Sequence, residues 1–166
     1  MAGQAHELDE LFGRGYRYAL ALCHDPDRAS DLLQDACVSC IRAQAPWQIH
    51  YLFAAIRSRF IDQYRRQMRV VIEPLGGEEE LSRLGVLSDP ERDKTFEVDK
   101  EVLRWALGEL RPEEREVLFL GAVEGYSARE IGELVGRPRG TILSMAHRAR
   151  QRMRELLRVS AVGNSS

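Results

Sequence analysis

Hydrophobic residues recur along this chain at helical spacing in two blocks, separated by a stretch with no sustained period. In "ELDELFGRGYRYALALC" the residues Leu8, Leu11, Phe12, Tyr16, Ala19, Leu20 and Cys23 form one stripe, which "HDPDR" then breaks. A second helix is expected from about Ala29 to Ala43, ended by "QAPWQ". A third is expected from about His50 to Met68, with Leu52, Phe53, Ile56, Phe60, Ile61 and Tyr64 on its buried side.

The second block begins with a helix over about 98–109. "LRP" then opens another, because proline at the first helical position lacks only an amide hydrogen that would have no partner there. Gly121 and Gly125 loosen the end of that helix. Ser127, followed three residues later by Glu130, is a capping box that starts a short helix, and Gly136 stops it. Pro138 opens a long helix to about Leu157, with Ile142, Ala146, Ala149, Met153 and Leu156 as its apolar stripe. No β-branched alternation of useful length occurs, so the expected class is all-α.

Between the blocks, "VVIEPLGGEEELSRLGVLSDPERDK" is punctuated by Pro74, Gly76, Gly77, Gly85 and Pro90, and its acidic run cannot bury itself. The organisation read from this pattern is two small helical domains, 5–70 and 98–158, joined by a flexible acidic linker at 71–97. "VSAVGNSS" forms a tail at 159–166.

A composition of 44% hydrophobic and 30% charged residues belongs to a soluble globular protein. The amino end has no basic region leading into an apolar run, and "YALALC" is too short to span a bilayer. The expectation is a cytoplasmic protein without membrane insertion.

The net charge of −2 hides a block structure. Residues 57–69 hold five arginines against Asp62, and residues 137–158 hold seven against Glu155, giving +4 and +6 among acidic neighbours. Three cysteines, Cys23, Cys37 and Cys40, argue against a disulfide framework. Cys37 and Cys40 share a helix face and read as packing residues, with a redox pair or zinc ligation as the competing reading. No phosphate loop, nucleophile–base pair or metal cluster is recognisable, so neither a cofactor nor a catalytic role is expected.

A short capped helix, a glycine turn and an arginine-rich second helix make a helix-turn-helix, the unit that lays its second helix in the DNA major groove. On a wheel centred on the apolar stripe, Leu143, Ser144, His147, Arg148 and Gln151 face outward, with Gly140 on the same side near the amino end. Arginines near a helix carboxyl end are favoured by the macrodipole alone. Seven exceed that need, and their mutual repulsion is offset when a polyanion binds.

The two halves together resemble the extracytoplasmic-function class, group IV, of the sigma-70 factors. "ASDLLQDACVSCIRA" is similar to the segment that binds the clamp helices of RNA polymerase β′, with Asp31, Gln34 and Asp35 at matching positions. "YLFAAIRSRFIDQYRRQ" resembles the helix that opens the minus-10 element, and "LRPEEREVLFLGAVEGYSAREIGELVGRPRGTILSMAHRAR" the minus-35 reader.

The resemblance implies a sigma-2-like and a sigma-4-like domain that bind core polymerase through its β and β′ subunits and hold double-stranded and melted promoter DNA. It also implies regulation by an anti-sigma factor. It assigns Tyr51, Arg57, Ser58, Arg59, Asp62, Arg65 and Arg66 to the minus-10 region, and Arg137, Arg139, Gly140, Thr141, Leu143, Ser144, His147 and Arg148 to the minus-35 region. Tyr51 and Ser58 stand where the family usually has tryptophan and asparagine. Leu143 and Met145 stand where it has basic residues, which implies a departure in the bases read. The alternative is a DNA- or polymerase-bound regulator that does not itself initiate.

Overall fold

The computed structural model describes residues 2–68 and 99–163. The first half contains α1 (Ala2–Cys23), α2 (Pro26–Arg42) and α3 (Ile49–Met68). The second contains α4 (Lys100–Gly108), α5 (Pro112–Leu118), a π-helical turn (Phe119–Val123), α6 (Ala128–Val135) and α7 (Arg139–Gly163). Every regular element among the described residues is helical, as the hydrophobic period predicts. The expected linker at 71–97 lies outside the described residues, as does Arg69.

Local chemistry sets most boundaries. α2 starts at Asp25, whose carboxylate accepts the Arg28 amide at 3.0 Å, with Pro26 opening the first turn. Asp99 caps α4 in the same way, accepting the Glu101 amide at 3.0 Å. The expected tail is a correction at its beginning: α7 runs on through Val159 to Gly163 instead of stopping near Leu157. No glycine or proline interrupts "VSAV", so nothing forces the helix to end before Gly163. Past α5 the backbone widens into the π turn, where the Glu124 amide reaches back five residues to the Phe119 carbonyl at 3.1 Å.

α1, α2 and α3 pack on one another and bury Leu11, Ala19, Leu22, Leu32, Ala36, Leu52, Phe53 and Ile56. Each large aliphatic or aromatic side chain removed from water in this way contributes about 1.5–3 kcal/mol. In the second half α5, α6 and α7 bury Val117, Leu120, Ile131, Val135 and Ile142. The two sets join into one continuous apolar cluster because α1 packs directly against α5. Tyr18, which lies off the stripe read for the first helix, is fully buried at that junction. Its ring centroid is 4.4 Å from that of Phe53 and 6.0 Å from that of Phe119.

Candidate nucleic-acid interface

The turn between α6 and α7 is fixed by three backbone devices. At the start of α6 the Ser127 amide and hydroxyl both donate to Glu130 Oε2 at 2.8 Å, and the Glu130 amide donates back to Ser127 Oγ at 3.3 Å. Those hydrogen bonds, the one from the Ser127 backbone first, hold the Glu130 carboxyl below its usual range. At the other end Gly136 takes the left-handed conformation (φ 71°), which spares the Cβ penalty another residue would carry. Gly132 then lets the chain double back closely: the Arg137 amide donates to its carbonyl at 3.0 Å, and a Cβ at Gly132 would stand 2.5 Å from the Arg137 carbonyl oxygen.

α7 emerges from this turn with Ile142 and Ala149 buried and the expected outward face open. Gly140, Leu143, Arg148 and Gln151 are exposed, and Thr141, Ser144 and His147 are half-buried. Ser144 Oγ donates to the Gly140 carbonyl at 3.0 Å, which occupies its proton and leaves the oxygen lone pairs outward. Arg137, Arg139, Arg148, Arg150, Arg152, Arg154 and Arg158 are all exposed, and among the described residues none of them meets an acid in an ion pair. The surface therefore presents cationic charge that no described acid neutralises in an ion pair, as a phosphate-binding face requires.

In the first half, Asp31, Gln34 and Asp35 are exposed along α2 while Leu32 turns into the core. Val38 and Ile41 stand exposed further along the same helix, adding apolar area to that polar surface.

The residues expected at the minus-10 element do not share one face. Spacing along α3 brings Tyr51, Ser58, Asp62 and Arg65 onto a common exposed side, with Arg66 at its edge. Arg59 turns toward α2, where its Nε and Nη2 donate to Ser39 Oγ at 2.9 and 2.6 Å. Arg57 turns the opposite way, toward α5, and its Nε donates to Glu116 Oε1 at 2.9 Å. Of the aromatics interleaved with these arginines, Phe53 and Phe60 are core, whereas Tyr51 and Tyr64 are exposed.

Glu116, Arg115 and Tyr18 carry no site assignment from the sequence. Glu116 is buried and accepts from the Tyr18 hydroxyl at 2.5 Å as well as from Arg57. Burial pushes the Glu116 carboxyl above its ordinary range, with the Arg57 charge opposing, and burial also raises the Tyr18 phenol. Arg115 is buried too. Its guanidinium donates to the Ala21 and Leu22 carbonyls at 2.8 and 3.0 Å, and to those of Leu107 and Leu110 at 3.3 and 2.5 Å. One cation thus satisfies the carboxyl ends of both α1 and α4. Adjacent arginine and glutamate in a charged helix look like surface residues, and no periodicity marks them as buried.

Cys40 is buried and Cys23 and Cys37 are half-buried, and burial raises all three thiols. No group of three or more His, Cys, Asp or Glu side chains able to hold a metal occurs among the described residues, and no described helix is long and apolar enough to cross a membrane.

Comparison with known proteins matches both halves. The family model for sigma-70 region 2 covers residues 8–70 and that for sigma-70 region 4 covers residues 100–153. The chain is 31% identical over 134 residues to the RNA polymerase sigma factor CarQ of Myxococcus xanthus, covering 78% of this chain and 74% of that protein. It is 31% identical over 150 residues to the ECF RNA polymerase sigma factor SigE of Mycolicibacterium smegmatis, covering 87% of this chain but spanning only 57% of that protein. Among solved structures it resembles the sigma factor RpoE of Bartonella quintana, in complex with the anti-sigma factor NepR. The TM-score is 0.69 at 25% identity, over 96% of this chain and 99% of that one.

Proposed function

The chain belongs to the extracytoplasmic-function group of the sigma-70 family of RNA polymerase sigma factors, and from that premise we propose how its own residues divide the work of starting transcription. It is a dissociable initiation factor that binds core polymerase, recognises a promoter with both helical halves and holds the melted strand. Polymerase performs the chemistry, and this chain acts beside it in the cytoplasm as a positioning subunit, not as an enzyme.

The observation that carries this reading is the pairing, in one chain, of a recognition helix whose arginines meet no described acid in an ion pair and a separate exposed acidic patch. Asp31 and Asp35 offer carboxylates, and Gln34 an amide, to arginines of the β′ subunit. Arg137, Arg139 and Arg148 hold phosphates on either side of the minus-35 groove. Gly140, Thr141, Ser144 and His147 approach base edges, and Leu143 offers an apolar contact to a thymine methyl. At the minus-10 element the exposed Tyr51 ring stacks on an unstacked base beside Ser58 and Asp62. Arg59, Arg65 and Arg66 hold the backbone there, and Arg57 joins them once it leaves Glu116.

An anti-sigma factor is the expected regulator, as in the complex of the Bartonella quintana protein. The test is reconstitution with purified core polymerase and mapping of transcript 5′ ends. Discrete ends with a shared upstream sequence are expected, and association with core that yields no promoter-specific transcript would refute the initiation reading.

A further inference from the structure

Over its first three turns the outward face of α7 holds no arginine or lysine along its centre, and cations stand at both edges. With about 100° between successive residues, Gly140, Leu143, Ser144 and His147 fall within one sector of about 100°, and Arg139 and Arg148 flank it. Arg154 returns to the same sector only about 10 Å further along the axis than His147, beyond the amino-terminal turns with which such a helix meets base edges. Phosphate contacts at the edges position a helix and carry no sequence, so reading is left to the centre.

Two features of that centre have no internal explanation. Leu143 is an exposed leucine on a face built for a polyanion, whereas Met145, apolar as well, is half-buried and packed against the core. Gly140, one turn before Leu143, keeps an ordinary helical backbone, and a Cβ added there would meet nothing within 4 Å. Glycine inside a helix costs stability relative to alanine, so what it gains lies outside the chain: bare backbone lets a large surface come close.

An apolar side chain lowered into the major groove meets donors, acceptors and one apolar group, the 5-methyl of thymine. Against any other base edge leucine strips water from polar groups and returns no hydrogen bond, so it rejects those bases as well as favouring thymine. Ser144 Oγ already gives its proton to the Gly140 carbonyl at 3.0 Å, and toward DNA it therefore accepts. Adenine and cytosine offer an amino group in the groove; guanine and thymine offer only acceptors there.

We propose that the centre of α7 reads a two-base signature in the minus-35 element: a thymine held by its 5-methyl against Leu143, and beside it an amino-bearing base, adenine or cytosine, held by Ser144. Gly140 sets the depth at which both are reached. The inference deepens the promoter-binding reading of this surface and rests on it.

The test uses holoenzyme assembled from the full chain and core polymerase, which selects duplexes from a library randomised over the upstream element. Wild type is expected to enrich a thymine with adenine or cytosine beside it. The enriched duplex is then remade with deoxyuridine for one thymine at a time, which deletes only the methyl, and at the position read by Leu143 affinity is expected to fall on the order of 3–5-fold. Low ionic strength keeps weaker variants in range through their phosphate contacts. Leu143→Ala is expected to bind the thymine and uracil duplexes alike, and Leu143→Met, which keeps the apolar reach, to go on preferring thymine. Ser144→Ala is expected to keep the methyl preference and lose the one for the amino base. Gly140→Ala is expected to melt no lower than wild type and yet bind the duplex more weakly, a split that a glycine serving only the fold would not produce.

An enriched element whose every thymine tolerates uracil overturns the inference and leaves promoter binding intact, as does a uracil penalty that persists in Leu143→Ala. A preference for the amino base that survives Ser144→Ala overturns the second half of the signature. Enrichment of no upstream element by wild type overturns the inference and the promoter reading together.

Discussion

Arg115 Nη2 lies 3.0 Å from the carbonyl oxygen of Leu22, a hydrogen bond from the first turn of α5 to the last turn of α1. Together with the bonds to Ala21, Leu107 and Leu110, it places a single guanidinium at two helix carboxyl ends. Replacing Arg115 by methionine keeps the apolar stem and strands the Ala21, Leu22 and Leu110 carbonyls, each costing about 1–3 kcal/mol if left unsatisfied, whereas the Leu107 carbonyl keeps the Leu110 amide at 3.2 Å. The expected result is a loss of about 2–5 kcal/mol in urea unfolding. Arg115→Lys should recover only part of it, because a point charge cannot reproduce the planar fork. A variant within about 0.5 kcal/mol of wild type would show the bonds to be dispensable.

Much of the fold follows from pattern. The capping box at Ser127, the stop at Gly136 and the stripe through Ile142 and Ala149 are local features, decided by residues a few positions apart. The exposed face of α7 is equally local, because burying one stripe fixes the other. What pattern cannot supply is burial that one half imposes on the other. Tyr18 sits off the stripe of α1 and is buried by α5, and Glu116 and Arg115 read as surface charges until their partners approach from α1 and α3. Composition groups Arg57 with Arg59, yet a step of two residues turns a helical side chain through about 200°. The two therefore meet different neighbours.

Gly132 has a steric role that its place in "IGELVG" does not announce. With only 2.5 Å between the position of an added Cβ and the Arg137 carbonyl oxygen, Gly132→Ala must push α6 and the turn apart. A destabilisation of about 1–3 kcal/mol is expected for overpacking of this kind, together with weakened binding to a minus-35 duplex because α7 is re-aimed. Association with core through α2 should persist. Calorimetric melting and duplex binding of the same variant decide it, and unchanged values in both would mean the turn absorbs the methyl.

Leu143 interrupts the cationic face of α7 with an exposed apolar side chain. Leu143→Arg adds one phosphate-reaching charge, and the slope of log K against log salt for holoenzyme on promoter DNA should steepen by about 0.9. Arg148→Ala should make the slope shallower by a similar amount, weakening all sequences alike if Arg148 serves only the backbone. A Leu143→Arg variant with wild-type slope would place that position away from DNA.

All three thiols are raised by burial, so the thiolate fraction at neutral pH falls below that of an unperturbed cysteine, whose value is about 8.5. Alkylation of the folded chain should therefore be slower than that of a free cysteine at neutral pH and should accelerate as pH rises past that reference. Unfolding should abolish the difference. Rapid neutral-pH labelling of Cys37, or loss of transcription in a Cys37→Ala, Cys40→Ala double variant, would favour the redox reading instead.

Glu116 gives stability a pH dependence whose sign follows from its surroundings. Tyr18 on α1, Arg57 on α3 and Glu113 on α5 are the groups that act on it, and burial outweighs the Arg57 charge, so the folded carboxyl titrates above its unfolded value of about 4.3. Below that unfolded value both states bind the proton, and the contribution of the group is fully present. As pH rises through the interval up to the folded value, the unfolded chain releases its proton first, and stability is lost with each step. Glu116→Gln fixes the neutral form and removes the dependence. The stability of wild type minus that of Glu116→Gln, from urea midpoints taken between about pH 4 and pH 8, should fall steadily as pH rises from about 4.3. A difference that rises over the same interval would mean that Arg57 wins over burial, and that the carboxylate is bound in the junction as an ion from the outset.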